Sequence, residues 1–156
     1  MKHSILLAAP ILAAALWAQD AHHEAMDKRV DQVMGFSREK TTHHFRLYKD
    51  GGAIEVTAND PHDTASREQI RMHLGHIAKM FAAGDFNAPM LIHDRTPPGV
   101  PVMQKLKAEV RYDFAKTESG ATVRITTANA KAVDAVHQFL KFQIEDHRTG
   151  DPLEVQ

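Results

Sequence analysis

Histidine is the residue type in this sequence that offers the most chemistry. The chain has eleven histidines and no cysteine in 156 residues, and ten of the histidines follow residue 18. Neutral imidazole is the commonest protein ligand for metal ions, and it titrates near neutral pH. The histidine content therefore predicts metal binding, and simple surface buffering is the competing interpretation. The lack of cysteine excludes a disulfide, so stability must come from packing.

Two histidines and a methionine have a spacing that suits a shared metal ion. His73 and His76 are three residues apart and Met80 follows four residues later, so all three lie on one shoulder of a helix. A thioether beside two imidazoles favours copper(I) or a haem iron, whereas zinc would need a third ligand from elsewhere. The alternative is that both histidines are boundary residues and that Met80 fills the core.

Three further histidines are candidate ligands. His43 and His44 are neighbours in a predicted strand, so their side chains point to opposite faces, and His43 is expected to face the helices. His93 precedes a proline-rich stretch that could fold it over the sheet edge. A hydrogen-bonded histidine at the core margin is the alternative for each. The candidate metal ligands are therefore His73, His76, Met80, His43, His44 and His93.

Two other histidines and a phenylalanine lie on the last predicted helix. His137 and His147 fall on its apolar stripe and are expected to be packing residues rather than ligands. Phe142 falls opposite that stripe and is expected to be exposed, which is weak support for contact with a partner protein.

Motifs and charge restrict the functional class. The chain contains no GxSxG elbow, no phosphate-binding glycine-rich loop, no HExxH and no cysteine nucleophile, so an enzyme is disfavoured. Nineteen basic and twenty acidic residues are interspersed without a basic stripe, which argues against nucleic acid. The leading hypothesis is a non-catalytic protein that binds copper, zinc or haem. The alternative is a cofactor-free interaction module that uses its sheet face or an exposed helix face, with a homodimer or an envelope protein as partner.

The elements that must position these residues occur twice in the chain. Alternating apolar residues and a glycine turn at 50–52 predict a hairpin, and an apolar stripe predicts a helix from Asp60-Pro61 to Gly84. A second hairpin turning at 118–120 and a helix that runs to Gly150 follow. The half-repeats span about 43–85 and 108–151. The connector 86–101 holds four prolines, too many for regular structure.

The beginning of the chain reads as an export signal. A short basic start, an apolar run from Ser4 to Trp17 and the small residue Ala18 predict a signal peptide at 1–18. Cleavage would leave a single domain at 19–156 with no transmembrane segment, in the periplasm or outside the cell. An apolar pattern from Met26 through Val30 to Met34, ending at Gly35, predicts a first short helix.

Together these patterns predict an α+β fold. The expected architecture is a duplicated β-β-α unit, with a four-stranded antiparallel sheet, two helices on one of its faces and an additional N-terminal helix.

Several short sequence motifs resemble those of a known protein family. They are Met34-Gly35-Phe36, Lys40-Thr41-Thr42-His43-His44-Phe45, Asp63-Thr64-Ala65-Ser66-Arg67, His76-Ile77-Ala78-Lys79-Met80-Phe81 and Pro97-Pro98-Gly99-Val100-Pro101. Through these motifs the chain resembles a family of small exported bacterial proteins that has no established activity. The resemblance covers nearly all of Met34 to Pro152 and implies no catalytic residues. Some relatives bear an aspartate carbamoyltransferase label, which this chain contradicts by its length and by its lack of a Ser-Thr-Arg-Thr segment.

Overall fold

The structure, a computed structural model, describes residues 33–156 and, before them, residues 21, 24–26, 28 and 29. The predicted signal peptide at 1–18 and Val30 of the predicted first helix lie outside these residues. The described residues of the first segment are helical up to Met34, and Met26 and Met34 are buried. Gly35 follows with a positive φ of 73°.

The described residues form the predicted four-stranded antiparallel sheet. Its strands are β1 (Thr41–Tyr48), β2 (Gly51–Ala58), β3 (Arg111–Lys116) and β4 (Gly120–Thr126), in the spatial order β1-β2-β4-β3. Alternate side chains of β1, β2 and β4 are buried on one face, because successive residues of a strand point to opposite sides. This arrangement confirms the α+β class.

Both hairpin turns lie one or two residues earlier than predicted. The first turn consists of Lys49 and Asp50, and Gly51 already pairs with Tyr48 across the hairpin. In the second hairpin, Gly120 begins β4 and lies opposite Thr57 of β2. The glycines are therefore strand residues. They are needed where neighbouring strands approach closely, because a Cβ atom at Gly120 would overlap the carbonyl oxygen of Val56.

Two long helices cover the buried face of the sheet. They are α1 (Thr64–Ala83) and α4 (Ala130–His147), and the shorter helices α2 (Asn87–His93) and α3 (Val100–Lys105) lie between them in sequence. Helix α1 contacts β2, β3 and β4, whereas α4 contacts β1 and β2. The predicted stripe of α1 is buried at Ile70, Leu74, Ile77, Ala78 and Phe81.

The predicted start of the first long helix at Asp60-Pro61 is wrong. The N-cap is Asp63, whose carboxylate accepts the backbone N–H of Ser66, and the helix begins at Thr64. Asp60 instead accepts the backbone N–H of His62 in the preceding turn. The helix ends before Gly84 as predicted, and α4 ends at His147 rather than continuing to Gly150.

The prediction of an irregular connector at 86–101 is also wrong. Helix α2 and the beginning of α3 lie within it, because Pro89 and Pro101 are in the first turns of their helices. A proline is tolerated there since the first N–H groups of a helix have no partner within the helix. Short 3-10 turns at Arg38–Lys40 and Lys107–Glu109 complete the described elements. None of the helices in the described residues has the length and apolarity needed to cross a membrane.

One glycine of α1 weakens its helix without an evident need for glycine. A Cβ atom at Gly75 would meet the ring of Phe114 at 3.8 Å, which is an ordinary contact. Since glycine costs a helix interior roughly 1 kcal/mol relative to alanine, we expect Gly75→Ala to raise the free energy of unfolding by about 0.5–1 kcal/mol. Urea denaturation of both proteins measures this difference. A loss of stability in the variant would contradict the packing of α1 on β3.

Candidate functional site

A small cavity lies between the sheet and the helices. Its volume is about 60 Å³, and most of its lining is apolar, including Phe45, Leu74 and Phe139. Five lining residues carry nitrogen or sulfur groups with ligand or hydrogen-bonding chemistry: Met34, His43, His73, Gln143 and His147. We call this space the inner cavity. Its lining comes from the first segment, β1, β2, α1, α2 and α4, which are spread over the whole described chain.

His43 faces the helices, as its position in β1 predicts. Its ring lies against Phe36, with ring centroids 5.9 Å apart, and parallel to His147, with centroids 6.3 Å apart and 4° between the planes. The Nε2 atom of His43 is buried and has no hydrogen-bond partner. A buried polar atom without a partner costs about 1–3 kcal/mol, so it indicates a position where a ligand would stabilise the protein.

His147 lies between His43 and His93. It is the last residue of α4. The rings of His147 and His93 pack edge to face, with their centroids 5.0 Å apart. Phe45 packs against His147 from β1 at 5.9 Å. His147 contacts both His43 and His93, and His73 lines the same cavity as His43 and His147, so we call these four residues the histidine cluster.

His93 is held in place by hydrogen bonds from both ring nitrogens. It ends α2, is 1% exposed, and its Nδ1 lies 2.5 Å from a carboxylate oxygen of Asp146. Its Nε2 lies 3.0 Å from the amide oxygen of Gln143, while the amide nitrogen of Gln143 is buried without a partner. Rotating that amide by half a turn would let it donate to Nε2, with Nδ1–H donating to Asp146. This arrangement satisfies a neutral His93 and fixes its tautomer.

His73 approaches the inner cavity from α1. The edge of its ring meets Phe36 at a centroid distance of 5.5 Å, so Phe36 lies between His73 and His43. Both His73 and Met34 line the inner cavity, and both also line a wider groove on the outer side of α1. These two side chains therefore form the wall between the cavity and the surface.

Burial keeps the cluster uncharged at neutral pH. Burial, followed by the charge of Arg38 and by the other histidines nearby, lowers the pKa of His43 to about 4. Burial and His76 lower the pKa of His73 to about 4. The pKa of His147 falls well below 6.5 for the same main reason. Neutral imidazoles have a free lone pair, so these side chains can bind a metal ion without first losing a proton.

The remaining candidate ligands lie elsewhere. His76 is exposed and lines only the outer groove, and Met80 packs against the core without lining either space. His44 points to the opposite face of β1, as predicted, where its Nδ1 lies 2.8 Å from the buried carboxylate of Asp151. The structure therefore brings His43 and His73 to the inner cavity and His93 next to it, and separates them from His76, Met80 and His44.

Two residues of the inner cavity were missed by reasoning from the sequence. His147 was assigned to packing because it lies on the apolar stripe, and that same stripe is what directs it into the cavity. Met34 was assigned only to the first helix. Phe142 was predicted to be exposed, and this is wrong: it is half-buried, with the Arg95 guanidinium 4.7 Å from its ring and His93 on another side at 4.8 Å.

The geometry limits what the site can bind. Across the described part of the chain, no group of three or more His, Asp or Glu side chains is placed to share a metal ion. Two imidazoles with parallel rings and one thioether are among the side chains that line the inner cavity, and these donor types suit an ion that accepts few ligands. Comparisons with family models, with curated proteins and with solved structures gave no match to this chain. The family resemblance therefore stays a prediction from the sequence.

Proposed function

We propose that this protein binds one copper(I) ion in the inner cavity, without catalysing a reaction. The ligands in this proposal are the imidazoles of His43 and His147 and the thioether of Met34. The observation that carries it is the buried Nε2 of His43, which has no partner and belongs to a ring that faces His147. A metal ion bound there would satisfy this nitrogen, which the surrounding protein does not.

The chemistry of the lining favours copper(I) over zinc. Thioether sulfur is a soft donor that selects copper(I), and imidazole binds both metals. Zinc sites in proteins are almost always four-coordinate when structural, and the described residues offer no group of three His, Asp or Glu side chains. No carboxylate is among the described residues that line the inner cavity, so a monovalent ion would bring less uncompensated charge into an apolar space than a divalent one.

The size of the inner cavity argues against haem. A space of about 60 Å³ holds an ion or a few water-sized groups and is far smaller than a porphyrin. The hydrogen bond between His93 and Asp146 holds the His93 ring, which packs edge to face against the proposed ligand His147.

A location in the periplasm or outside the cell is part of this proposal. It is supported by the apolar run from Ser4 to Trp17 behind a basic start, and by the absence of cysteine, which leaves histidine and methionine as the copper ligands. These two residue types keep their ligand chemistry where thiols would be oxidised.

Metal analysis of the purified protein tests the proposal. We expect one equivalent of copper per chain after growth with copper, and less than about a tenth of that in His43→Ala/His147→Ala, since both imidazoles are removed. The matched control is His62→Ala/His76→Ala, which also removes two histidines but from exposed positions. It should retain the metal.

Two further variants keep the test decisive. If the alanine pair fails to fold, as judged by circular dichroism, His43→Gln/His147→Gln replaces it with side chains of similar size. Met34→Leu should lower the copper(I) affinity about tenfold or more and leave zinc binding unchanged, because only the soft donor is lost. Equal copper content in the wild type and in the folded His43/His147 variant would overturn the proposal.

A further inference from the structure

An open groove runs along the outer side of α1, between this helix and the edge strand β3. It encloses about 810 Å³, more than ten times the volume of the inner cavity. Its lining on α1 extends from Arg71 to Ala82, which is about 17 Å at 1.5 Å per residue. We call this space the outer groove. Its dimensions suit an elongated molecule rather than an ion.

The walls of the outer groove are apolar and exposed. Met72 is 73% exposed and Phe114 is 37% exposed, and these are two of the few large apolar side chains on the described surface. Gly75, Ala78 and Ala82 leave space between them along the helix.

The polar side chains that line the outer groove, among the residues the structure describes, are Arg71, His73, His76, Lys79 and Tyr112, and none of these is a carboxylate. Arg71 is already engaged by the backbone carbonyls of Gly120 and Thr117. Lys79 has no ion pair among the described residues, and the Tyr112 hydroxyl is buried without a hydrogen-bond partner. An anionic acceptor near Lys79 and Tyr112 would complement both groups.

Because exposed apolar side chains, Lys79 and the unpartnered Tyr112 hydroxyl line the same groove, we propose that the outer groove binds a long-chain carboxylate of the fatty-acid class. The carboxylate lies at Lys79 and Tyr112, and the acyl chain lies along Met72 and Phe114. A second copy of this chain fits less well, because a two-fold interface would oppose the same cationic groups across it.

Calorimetric titration of the purified protein with laurate tests this inference. We expect one laurate per chain below its micellar concentration, no binding of acetate, and at least about tenfold weaker binding of the neutral ester glycerol monolaurate, since a charge-assisted contact is lost. Equal affinity for laurate and the neutral ester would overturn the assignment of the cationic end. Binding without saturation at one equivalent would overturn the site.

Two substitutions locate the ligand. Lys79→Glu and Phe114→Glu should each weaken laurate binding about tenfold or more, whereas Lys131→Glu, the same charge change at an exposed residue of α4, should leave it unchanged. Unchanged binding in Lys79→Glu and Phe114→Glu, or a wild-type dimer that Phe114→Glu dissociates, would overturn the proposal. Neither Lys79 nor Phe114 lines the inner cavity, so these outcomes are independent of copper binding.

Discussion

The metal-free protein is expected to lose most of its stability between pH 6.5 and pH 4. The cause is the histidine cluster, whose members are buried or half-buried and are uncharged in the folded state. Burial lowers the pKa of His43 and of His73 to about 4, and it lowers the pKa of His93 and His147 as well. Above pH 6.5 these groups are neutral in both the folded and the unfolded chain, so they do not make stability depend on pH.

Below pH 6.5 these histidines become protonated in the unfolded chain but stay neutral in the folded protein. Each such histidine lowers the free energy of unfolding by about 1.4 kcal/mol per pH unit, or about 3 kcal/mol by pH 4. Two of them remove about 6 kcal/mol, which is comparable to the total stability of many domains of this size. Carboxylates do not explain a loss in this range. The Ser66 and Arg124 hydrogen bonds lower the pKa values of Asp63 and Asp50 below 3.8, so their effect falls at lower pH.

Urea denaturation at pH 7.0, 6.0, 5.0 and 4.5 measures this loss. His43→Phe keeps a ring at the position and removes one titrating group, so its stability should fall less steeply by about 1.4 kcal/mol per pH unit. His76→Ala, at an exposed position, should follow the wild type. A free energy of unfolding that stays constant from pH 7.0 to 4.5 would contradict this prediction, because it would show that the cluster takes up protons as readily in the folded protein as in the unfolded chain.

Replacing Gly120 with alanine is expected to cost about 3 kcal/mol or more. Gly120 begins β4 and lies opposite Thr57, at one end of the central strand pair β2–β4. A Cβ atom at this position would overlap the carbonyl oxygen of Val56 and crowd its carbonyl carbon, and neither is a flexible side chain that can turn away. The strands β2 and β4 would have to separate, which breaks hydrogen bonds and opens the core beneath them.

Urea denaturation of Gly120→Ala beside Gly75→Ala distinguishes crowding from a general effect of removing glycine. The two substitutions add the same methyl group, and only the first meets backbone atoms. If Gly120→Ala is too unstable to purify, its failure beside a folded Gly75→Ala gives the same result. Equal stability of the two variants would mean that the register of β2 against β4 differs from the one described.

The fold could be predicted to a large extent because its signals are local. Alternation at Phe45 and Leu47 specifies a strand, and the stripe ending at Phe81 specifies a helix, since each pattern lies within a single element. The recurrence of a hairpin and a helix then gave the sheet. The errors lie at boundaries. Asp63 rather than Asp60 caps α1, because the cap depends on which carboxylate reaches the N–H of Ser66, and sequence spacing left both available.

The candidate site could be predicted only in part because it is assembled across the fold. Alternation of side chains along β1 correctly predicted that His43 faces the helices, since successive residues of a strand point to opposite faces. The partners of His43 come from 34, 73 and 147, and no pattern within one element relates these positions. The pair His73 and His76 looked complete on one helix, whereas the structure places only His73 at the inner cavity. The spacing of two histidines on one helix therefore did not identify the site, which forms where side chains from several elements meet.

A copper(I) titration in competition with a coloured copper(I) chelator, under anaerobic conditions, tests the central claim most directly. The wild type should withdraw one equivalent of copper(I) from the chelator, and His62→Ala/His76→Ala should do the same. His43→Ala/His147→Ala, or the glutamine pair if that one is unfolded, should withdraw none. A wild type that leaves the chelator fully loaded, or a folded His43/His147 variant that competes as well as the wild type, would contradict copper binding in the inner cavity.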